Sequence, residues 1–265
     1  GNRYHARSVN SVIAELKMLV SAFGADHIWF CDDIFGLKPG WVKEFAEAVQ
    51  KENLEFSFKI QSRADLLLEK DTARYLSLAG CDEVWMGAES GSQKILDAMD
   101  KGTTVEQIYM SRGLLKKFNI RAAFFLQFGY PGEQQEDIEA TLKMVTDLMP
   151  DDIGISVTYP LPGTKLFNMV ERQLQGKSNW QHSDELAMLF SSTYPKEYYR
   201  HLQRYVHHMY REKKNYSVLR NWLRKPGFGS VVEMLRSSRA FYYSFLRISR
   251  ERSLRKLQLA YESRV

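Results

Sequence analysis

The chain has 265 residues, of which 44% are hydrophobic and 26% are charged, and this composition is typical of one large globular domain with or without an appendage. No apolar run approaches the roughly 20 residues that a membrane-spanning helix needs, and no signal-peptide pattern opens the sequence. The two cysteines, Cys31 and Cys81, exclude a disulfide framework, so the sequence predicts a cytoplasmic protein without a membrane span.

The charge is distributed unevenly along the chain. Residues 201–265 hold 15 Lys/Arg against 4 Asp/Glu, whereas residues 1–200 hold 22 against 28. A basic segment of this kind can bind nucleic acid, an anionic membrane or an acidic partner. It is also the ordinary composition of a solvated helix face. We favour the solvated face and expect no nucleic-acid partner.

The first predicted element is a helix that Ser8 caps and that Gly24 ends. Strand-like apolar runs and helical patterns then alternate, which predicts parallel strands joined by right-handed crossovers, in a doubly wound sheet or a barrel. The predicted strands are 27–31, 56–60, 84–87, 120–128 and 153–159. Four helices are predicted between these strands. The first follows Pro39, the second ends at about Ala79, and the other two lie near 104–118 and 134–149.

Polar side chains follow each of the five apolar runs. Ligands gather at the carboxyl ends of the strands in both architectures, so the sequence predicts a site there. For Glu89 the alternative is a helix-capping region, in which Ser90 or Ser92 caps a helix beginning near Gln93. The residues at the five ends are Asp32 and Asp33; Gln61, Ser62 and Arg63; Glu89 and Ser90; Gln127 to Tyr130; and Tyr159 with Pro160.

The acidic residues at the strand ends allow a metal-dependent alternative. Asp32, Asp33 and Glu89 carry the oxygen ligands that Mg²⁺ prefers. The two cysteines do not chelate a metal together, because Cys31 lies at the carboxyl end of its predicted strand whereas Cys81 precedes its own strand and so belongs to the opposite edge. The sequence has neither a Walker lysine motif nor a Gly-rich dinucleotide fingerprint.

Five motifs, in order, resemble the radical S-adenosylmethionine superfamily: IWFCDDIFG, FKIQSRADLL, VWMGAESGSQKILDAMDKGTT, FFLQFGYPGE and YPLPGTKLF. The likeness is greatest to the branch with an upstream cobalamin-binding domain, which includes anaerobic cyclases and methyltransferases. It covers about residues 1–170. The resemblance implies an α/β fold, a partial (β/α)6 TIM-like barrel over 1–170, followed by a mostly helical, basic extension over 171–265.

The family binds a 4Fe–4S cluster through a CxxxCxxC loop after the first barrel strand. The resemblance implies that this chain begins just past that loop, so that the first strand, the cluster cysteines and the cobalamin domain lie upstream. We therefore expect no metal ligands within this chain, and no activity from the chain alone.

The resemblance also implies which residues hold S-adenosylmethionine. A carboxylate at Glu89 can accept hydrogen bonds from the ribose hydroxyls or pair with the ammonium group, and Arg63 suits the methionyl carboxylate. The expected cofactor residues are Gly87, Glu89, Ser90, Arg63, Gln127, Tyr159 and Pro162. The expected substrate-side residues are Asp32, Asp33, Gln61 and Tyr130.

The implied function is reductive cleavage of S-adenosylmethionine to a 5′-deoxyadenosyl radical, cobalamin-dependent methyl transfer, or both. The implied substrate is a small molecule, including lipid-like or tetrapyrrole-like compounds, and the electron donor is flavodoxin or ferredoxin. Two alternatives remain open from the residues alone. One is a Mg²⁺-dependent barrel enzyme that uses the three carboxylates, and the other is a non-catalytic scaffold whose basic tail binds a partner.

Overall fold

The computed structural model of the chain describes residues 5–174, 190–224 and 238–263. Its strands are β1 (His27–Trp29), β2 (Ser57–Ser62), β3 (Cys81–Glu89), β4 (Arg121–Phe128) and β5 (Asp152–Val157). Its helices are α1 (Val9–Phe23), α2 (Trp41–Lys51), α3 (Ala64–Leu67), α4 (Thr72–Leu78), α5 (Gln93–Ala98), α6 (Val105–Lys117), α7 (Gln135–Leu148), α8 (Lys165–Val170), α9 (Lys196–Arg224) and α10 (Arg239–Glu262).

The five strands form one parallel sheet in the order β1-β2-β3-β4-β5, curved into a half-barrel with flanking helices. Trp29 of β1 pairs with Lys59 of β2, and Lys59 pairs with Glu83 of β3. An irregularity between Phe58 and Lys59 shifts the register of β2 against β3. The predicted parallel α/β architecture, with a helical C-terminal part, is confirmed.

Local signals in the sequence set several helix ends where they were predicted. The Ser8 side chain accepts a hydrogen bond from the Ser11 N–H, and Gly24 ends α1 with a left-handed φ of 65°. Thr104 and Gln107 form a reciprocal capping box at the start of α6.

Three details of the prediction are wrong. Strand β1 ends at Trp29, two residues before its predicted end at residue 31. Cys81 is the first residue of β3, whereas the predicted strand began at residue 84. The helix predicted to end at Ala79 is two helices, α3 and α4. Asp71 precedes α4 with a φ of 63°, and a left-handed residue cannot continue a right-handed helix.

The chain divides into two compact units, and the predicted boundary near residue 170 stays a prediction. In the first unit, Phe30, Phe35, Trp41, Phe45 and Phe58 form an aromatic core with ring centroids 5.1–6.2 Å apart. The first unit comprises Gly1–Glu89, Gly102–Phe125 and Pro150–Gly154, and the second comprises Ser90–Lys101, Leu126–Met149 and Ile155–Val265.

The second unit contains the long helices α9 and α10, which pack against each other. Tyr198, Tyr199 and Tyr210 of α9 are buried, so these tyrosines serve packing. In the described ranges, no helix combines the length and the apolar character that crossing a membrane requires.

Candidate functional site

The open face of the half-barrel is defined by alternating burial along the strands. In the first unit, Lys59 and Gln61 of β2 and Trp85, Gly87 and Glu89 of β3 are half-buried, whereas their immediate neighbours along the strands are buried. Because successive side chains point to opposite faces of a sheet, these five residues share one face. This face is aromatic at Trp85 and polar at the carboxyl end, where Gln61 and Glu89 lie.

Gly154 of β5 allows aromatic rings to pack on the same face. The Trp85 and Phe125 rings have centroids 4.7 Å apart, and a Cβ on Gly154 would lie 3.2 Å from each ring. The aromatic pair lies level with Gln61, the register partner of Trp85, and below Glu89 at the end of β3.

Glu89, the last residue of β3, has the strained backbone of the site. Its φ is 55°, in the left-handed region that costs a residue with a Cβ roughly 1–2 kcal/mol. Gly87, two residues earlier on the same face, has no side chain to fill the space beside it. Strained non-glycine residues of this kind cluster at ligand-binding sites.

Arg63 follows β2 and is held by an acidic neighbour. Its Nε lies 3.0 Å from Asp65 Oδ1, and one terminal nitrogen lies 3.1 Å from Asp65 Oδ2. The same nitrogen lies 3.4 Å from the Gly102 carbonyl oxygen. The two-point ion pair orients the guanidinium through its Nε edge, and the second terminal nitrogen makes no contact with Asp65.

Asp32 and Asp33 are exposed in the loop after β1. Asp32 borders a cavity of about 520 Å³ that is also lined by Leu16 of α1 and Ile28 of β1. Among the described residues, no group of three His, Cys, Asp or Glu side chains is placed to hold a metal ion. Asp32, Asp33 and Glu89 therefore do not form the metal site of the Mg²⁺ alternative.

The two cysteines lie at different levels of the sheet. Cys81 pairs with Phe58 near the amino end of β2, whereas Cys31 lies beyond the carboxyl end of β1. Burial raises the pKa of the Cys81 thiol far above its ordinary value, and Cys31 is exposed. Iron–sulfur clusters need several thiolates at one place. The cysteines of this chain therefore do not fit a cluster.

Residues 90–92, in the second unit, are hydrogen-bonded to α7. The hydroxyls of Ser90 and Thr141 lie 3.1 Å apart, and the Gly91 N–H donates to Thr141 Oγ1 at 2.9 Å. A Cβ on Gly91 would lie 2.4 Å from the Ala140 carbonyl oxygen. Ser92 stands at the N-cap position of α5, but its side chain makes no capping bond and its hydroxyl donates to Asp137. The Ser90 hydroxyl accepts the Ser92 N–H at 3.1 Å, so Ser90 bonds to the backbone at the start of this helix.

Asp137, in the first turn of α7, collects three hydrogen bonds. Its donors are the Ser92 hydroxyl and Lys94 Nζ, both at 2.7 Å, and the Gln134 N–H at 2.9 Å. Burial acts to raise the pKa of Asp137, but Lys94 and the other donors outweigh it and lower the pKa. Asp137 thus stays ionised and ties α5 to α7.

The loop after β4 places Gln127 half-buried and Tyr130 buried. The Tyr130 hydroxyl donates to the Ala98 carbonyl oxygen at 2.8 Å. Glu133 is fully buried, and its Oε2 accepts a hydrogen bond from the Gly129 N–H at 2.6 Å. Burial raises the pKa of Glu133 to about 8, so it holds a proton at neutral pH.

The loop after β5 carries Tyr159 and Pro162. Pro162 is exposed, and Tyr159 is half-buried. The Tyr159 hydroxyl oxygen is itself buried, without a hydrogen-bond partner among the described residues. Such a hydroxyl is available to a ligand or a water molecule.

The C-terminal part of the second unit supports the loop after β4. The Ser192 hydroxyl donates to the Gly129 carbonyl oxygen at 3.0 Å and lies 3.1 Å from the Tyr199 hydroxyl. The Tyr198 hydroxyl donates to Gln135 Oε1 at 3.0 Å. Glu133, Asp137 and Ser192 were not among the predicted site residues. The sequence offers a signal only for Glu133, which ends the FFLQFGYPGE motif.

Comparison with known proteins gives a family match over more than half of the chain. The model of the Radical SAM superfamily matches residues 1–145. An uncharacterized methyltransferase of Pyrococcus horikoshii is 32% identical over 182 residues, which are 68% of this chain and 39% of that protein. An anaerobic magnesium-protoporphyrin IX monomethyl ester cyclase of Cereibacter sphaeroides is 27% identical over 65% of this chain and 29% of its own length.

A solved structure shares the fold. It is the radical S-adenosylmethionine methyltransferase TsrM from Kitasatospora setae, with cobalamin and a 4Fe–4S cluster bound. The TM-score is 0.59 at 22% identity, over 66% of this chain and 36% of that one. The chain thus spans about two fifths or less of the length of each of these three proteins.

Proposed function

Because this chain belongs to the radical S-adenosylmethionine superfamily, we propose that it forms the S-adenosylmethionine-binding part of a cobalamin-dependent enzyme. The reaction class that we favour is methyl transfer, since one similar protein is a methyltransferase by name and another is a cobalamin-bound methyltransferase. The similar cyclase supports ring formation as the second class. In this proposal residues 1–170 bind the cofactor, and residues 171–265 support the cofactor-binding part.

The observation that carries the proposal is Glu89, a carboxylate side chain on a strained backbone. A left-handed backbone turns the chain sharply at the end of β3, beside Gly87 on the same open face. Glu89 is proposed to accept hydrogen bonds from the ribose hydroxyls or to pair with the ammonium group of the cofactor. The space beside Gly87 lets the cofactor approach the backbone.

The other proposed cofactor residues act in two ways. Arg63, oriented by Asp65, contributes positive charge toward the methionyl carboxylate, and Gln127 and Tyr159 offer polar groups at the ends of β4 and β5. Pro162 offers a flat apolar surface. Ser90 is buried and bonded to Thr141, so in this proposal it positions the backbone after Glu89 rather than touching the cofactor.

The proposed substrate side consists of Asp32, Asp33, Gln61 and Tyr130. Asp32 and Asp33 are exposed and Gln61 is half-buried, so these three can meet a substrate directly. The Tyr130 hydroxyl is bonded to Ala98, so its role is to shape the loop after β4. We propose a small organic substrate, a class that includes lipid-like and tetrapyrrole-like molecules.

When bound, S-adenosylmethionine supplies an activated methyl group or a 5′-deoxyadenosyl group. This chain's residues bind the cofactor, fix its orientation and exclude water from it. The cluster thiolates, the cobalamin site and the surface for flavodoxin or ferredoxin are proposed to lie in parts of the protein beyond these 265 residues. The proposed location is the cytoplasm.

The test is Glu89→Ala in the full-length protein, reconstituted with its cluster. Loss of a charge-assisted hydrogen bond of about 1.5–3 kcal/mol predicts cofactor affinity about 10- to 100-fold weaker, measured by calorimetry, with little change in melting temperature. The control is Glu47→Ala, an exposed carboxylate in the middle of α2, which is expected to leave both quantities unchanged. Unchanged affinity in Glu89→Ala, with a lower melting temperature, would contradict the assignment.

A further inference from the structure

The outer face of α10 exposes large apolar side chains. Phe245 is 71% exposed, Leu259 65% and Phe241 64%, and Tyr242 and Ile248 are exposed as well. Phe241, Phe245 and Ile248 recur at intervals of four and three residues, so they form one stripe along the helix. We call this stripe with Tyr242 and Leu259 the α10 face.

The opposite side of α10 is fixed against α9, so the α10 face is held outward. Ala240 and Leu254 are buried. Arg247 Nε lies 2.5 Å from Glu212 Oε2 of α9, and the Ser244 hydroxyl donates to Glu212 Oε1 at 2.8 Å. The helix cannot turn its apolar stripe inward without breaking these contacts.

One aromatic residue of α9 extends the α10 face. The Tyr216 ring lies edge-on to the Phe241 ring, with centroids 6.0 Å apart. The Tyr216 hydroxyl lies 3.3 Å from the Ser244 hydroxyl. Tyr216 is 38% exposed, so the apolar surface spans both helices.

Positive charge accompanies the apolar stripe. Arg239, Arg252, Arg255 and Lys256 are exposed on α10, and none of the exposed side chains that the structure describes on this helix is acidic. Glu251 is half-buried, and its carboxylate is paired with Arg247 and Arg255. The surface therefore presents aromatic and aliphatic groups together with Arg239, Arg252 and Lys256, which have no acidic partner among the described residues.

We propose that the α10 face docks on an anionic lipid surface. Aromatic and aliphatic side chains that lie among Arg and Lys are the composition of helices that lie in the membrane interface, where apolar groups enter the acyl boundary and cations meet phosphate headgroups. A second copy of the chain would place like charges together. Nucleic acid would engage the cations but would leave Ile248 and Leu259 in contact with water.

Vesicle sedimentation tests the proposal with the full chain, and it does not need the cofactor. The probes are vesicles of phosphatidylcholine alone, and vesicles of equal parts phosphatidylcholine and phosphatidylglycerol. We expect binding to the anionic vesicles, weaker binding to the neutral ones, and loss of binding as salt rises. Binding to neither, or equal binding to both, would overturn the proposal.

Two pairs of substitutions test the two components separately. Phe241→Ser with Phe245→Ser removes apolar contact, and Arg252→Glu with Lys256→Glu reverses two charges, so each pair is expected to weaken binding at least about tenfold. The controls lie on α6, where Met110→Ser removes an exposed apolar side chain and the pair Lys116→Glu with Lys117→Glu reverses two exposed charges. Both controls are expected to retain binding.

Three outcomes of the substitutions would overturn the proposal. The first is that the control variants lose as much binding as the α10 variants. The second is that only the charge pair matters, which indicates a surface for a soluble polyanion such as nucleic acid. The third is a concentration-dependent dimer that Phe245→Ser disrupts, since the face would then belong to a second copy. Because all these residues are exposed, circular dichroism is expected to show every variant folded.

Discussion

Glu89 combines two properties that seldom occur in one residue, a charged side chain at a strand end and a left-handed backbone. Glycine would adopt this backbone at lower cost, because it has no Cβ. The presence of glutamate at a position that favours glycine indicates that the side chain contributes something other than stability. The strained backbone and the carboxylate together support the role of Glu89 in cofactor binding.

Glu89→Gly is therefore expected to be more stable than Glu89→Ala, while both variants impair cofactor binding. Relief of backbone strain predicts a difference of roughly 0.5–1 kcal/mol in the free energy of unfolding, measured with urea. The matched pair Glu47→Gly and Glu47→Ala lies within a helix, where glycine is expected to be the less stable by about 1 kcal/mol. A Glu89→Gly protein less stable than Glu89→Ala would show that the strain assignment is wrong.

Glu133 makes the stability of the second unit depend on pH. Burial raises its pKa from an ordinary 4.5 to about 8, so between these values the folded state keeps a proton that the unfolded state releases. The free energy of unfolding therefore falls as pH rises from 4.5 to 8, by up to about 1.4 kcal/mol per pH unit, and this loss levels off above pH 8.

Glu133→Gln is expected to remove this contribution, because the amide carries no titrating proton and can still accept the Gly129 N–H. Urea unfolding across the pH range would then give a flatter profile than that of the parent protein. Glu136→Gln, an exposed neighbour on α7, is the control and should reproduce the parent profile. Equal pH dependence in the parent and in Glu133→Gln would refute the prediction.

The segment after β3 consists of residues with small side chains because α7 passes close to it. The Gly91 backbone lies so near the Ala140 carbonyl that a methyl group has no room, and Ser90 and Ser92 bond to Thr141 and Asp137 of the same helix. The run of small residues thus serves helix packing as well as the site.

Gly91→Ala is expected to destabilise the protein by about 1–3 kcal/mol, because the new methyl group must displace backbone rather than a flexible side chain. Gly113→Ala is the matched control. Its Cβ would meet nothing within 4 Å inside α6, so a gain of about 0.5–1 kcal/mol is expected. Thermal unfolding of both variants measures the difference, and equal melting temperatures would refute the packing argument.

The order and type of the elements could be predicted because each is specified locally. Apolar runs mark the strands, and residues such as Ser8, Gly24 and Thr104 mark helix ends. The bonds from Ser90 to Thr141 and from Ser92 to Asp137 could not be predicted, since they join residues 51 and 45 positions apart and depend on how the elements pack. The left-handed Asp71 was missed because aspartate is compatible with an uninterrupted helix.

The charge asymmetry of the sequence has a structural counterpart. The positive C-terminal segment is not uniformly solvated, because Arg247 is committed to Glu212 and Glu251, whereas Arg252 and Lys256 are exposed beside an apolar stripe. The solvated-face interpretation thus describes only part of this segment. Composition identified the basic region, but only the fold separates its structural cations from those at the surface.

The bonds from Ser192 to Gly129 and from Tyr198 to Gln135 have an evolutionary consequence. A recombination that exchanged the C-terminal segment between relatives would keep the acceptor of Ser192, because it is a backbone carbonyl, but could separate the Tyr198 hydroxyl from its side-chain acceptor Gln135. Residues 135 and 198 are therefore expected to change together in such a lineage.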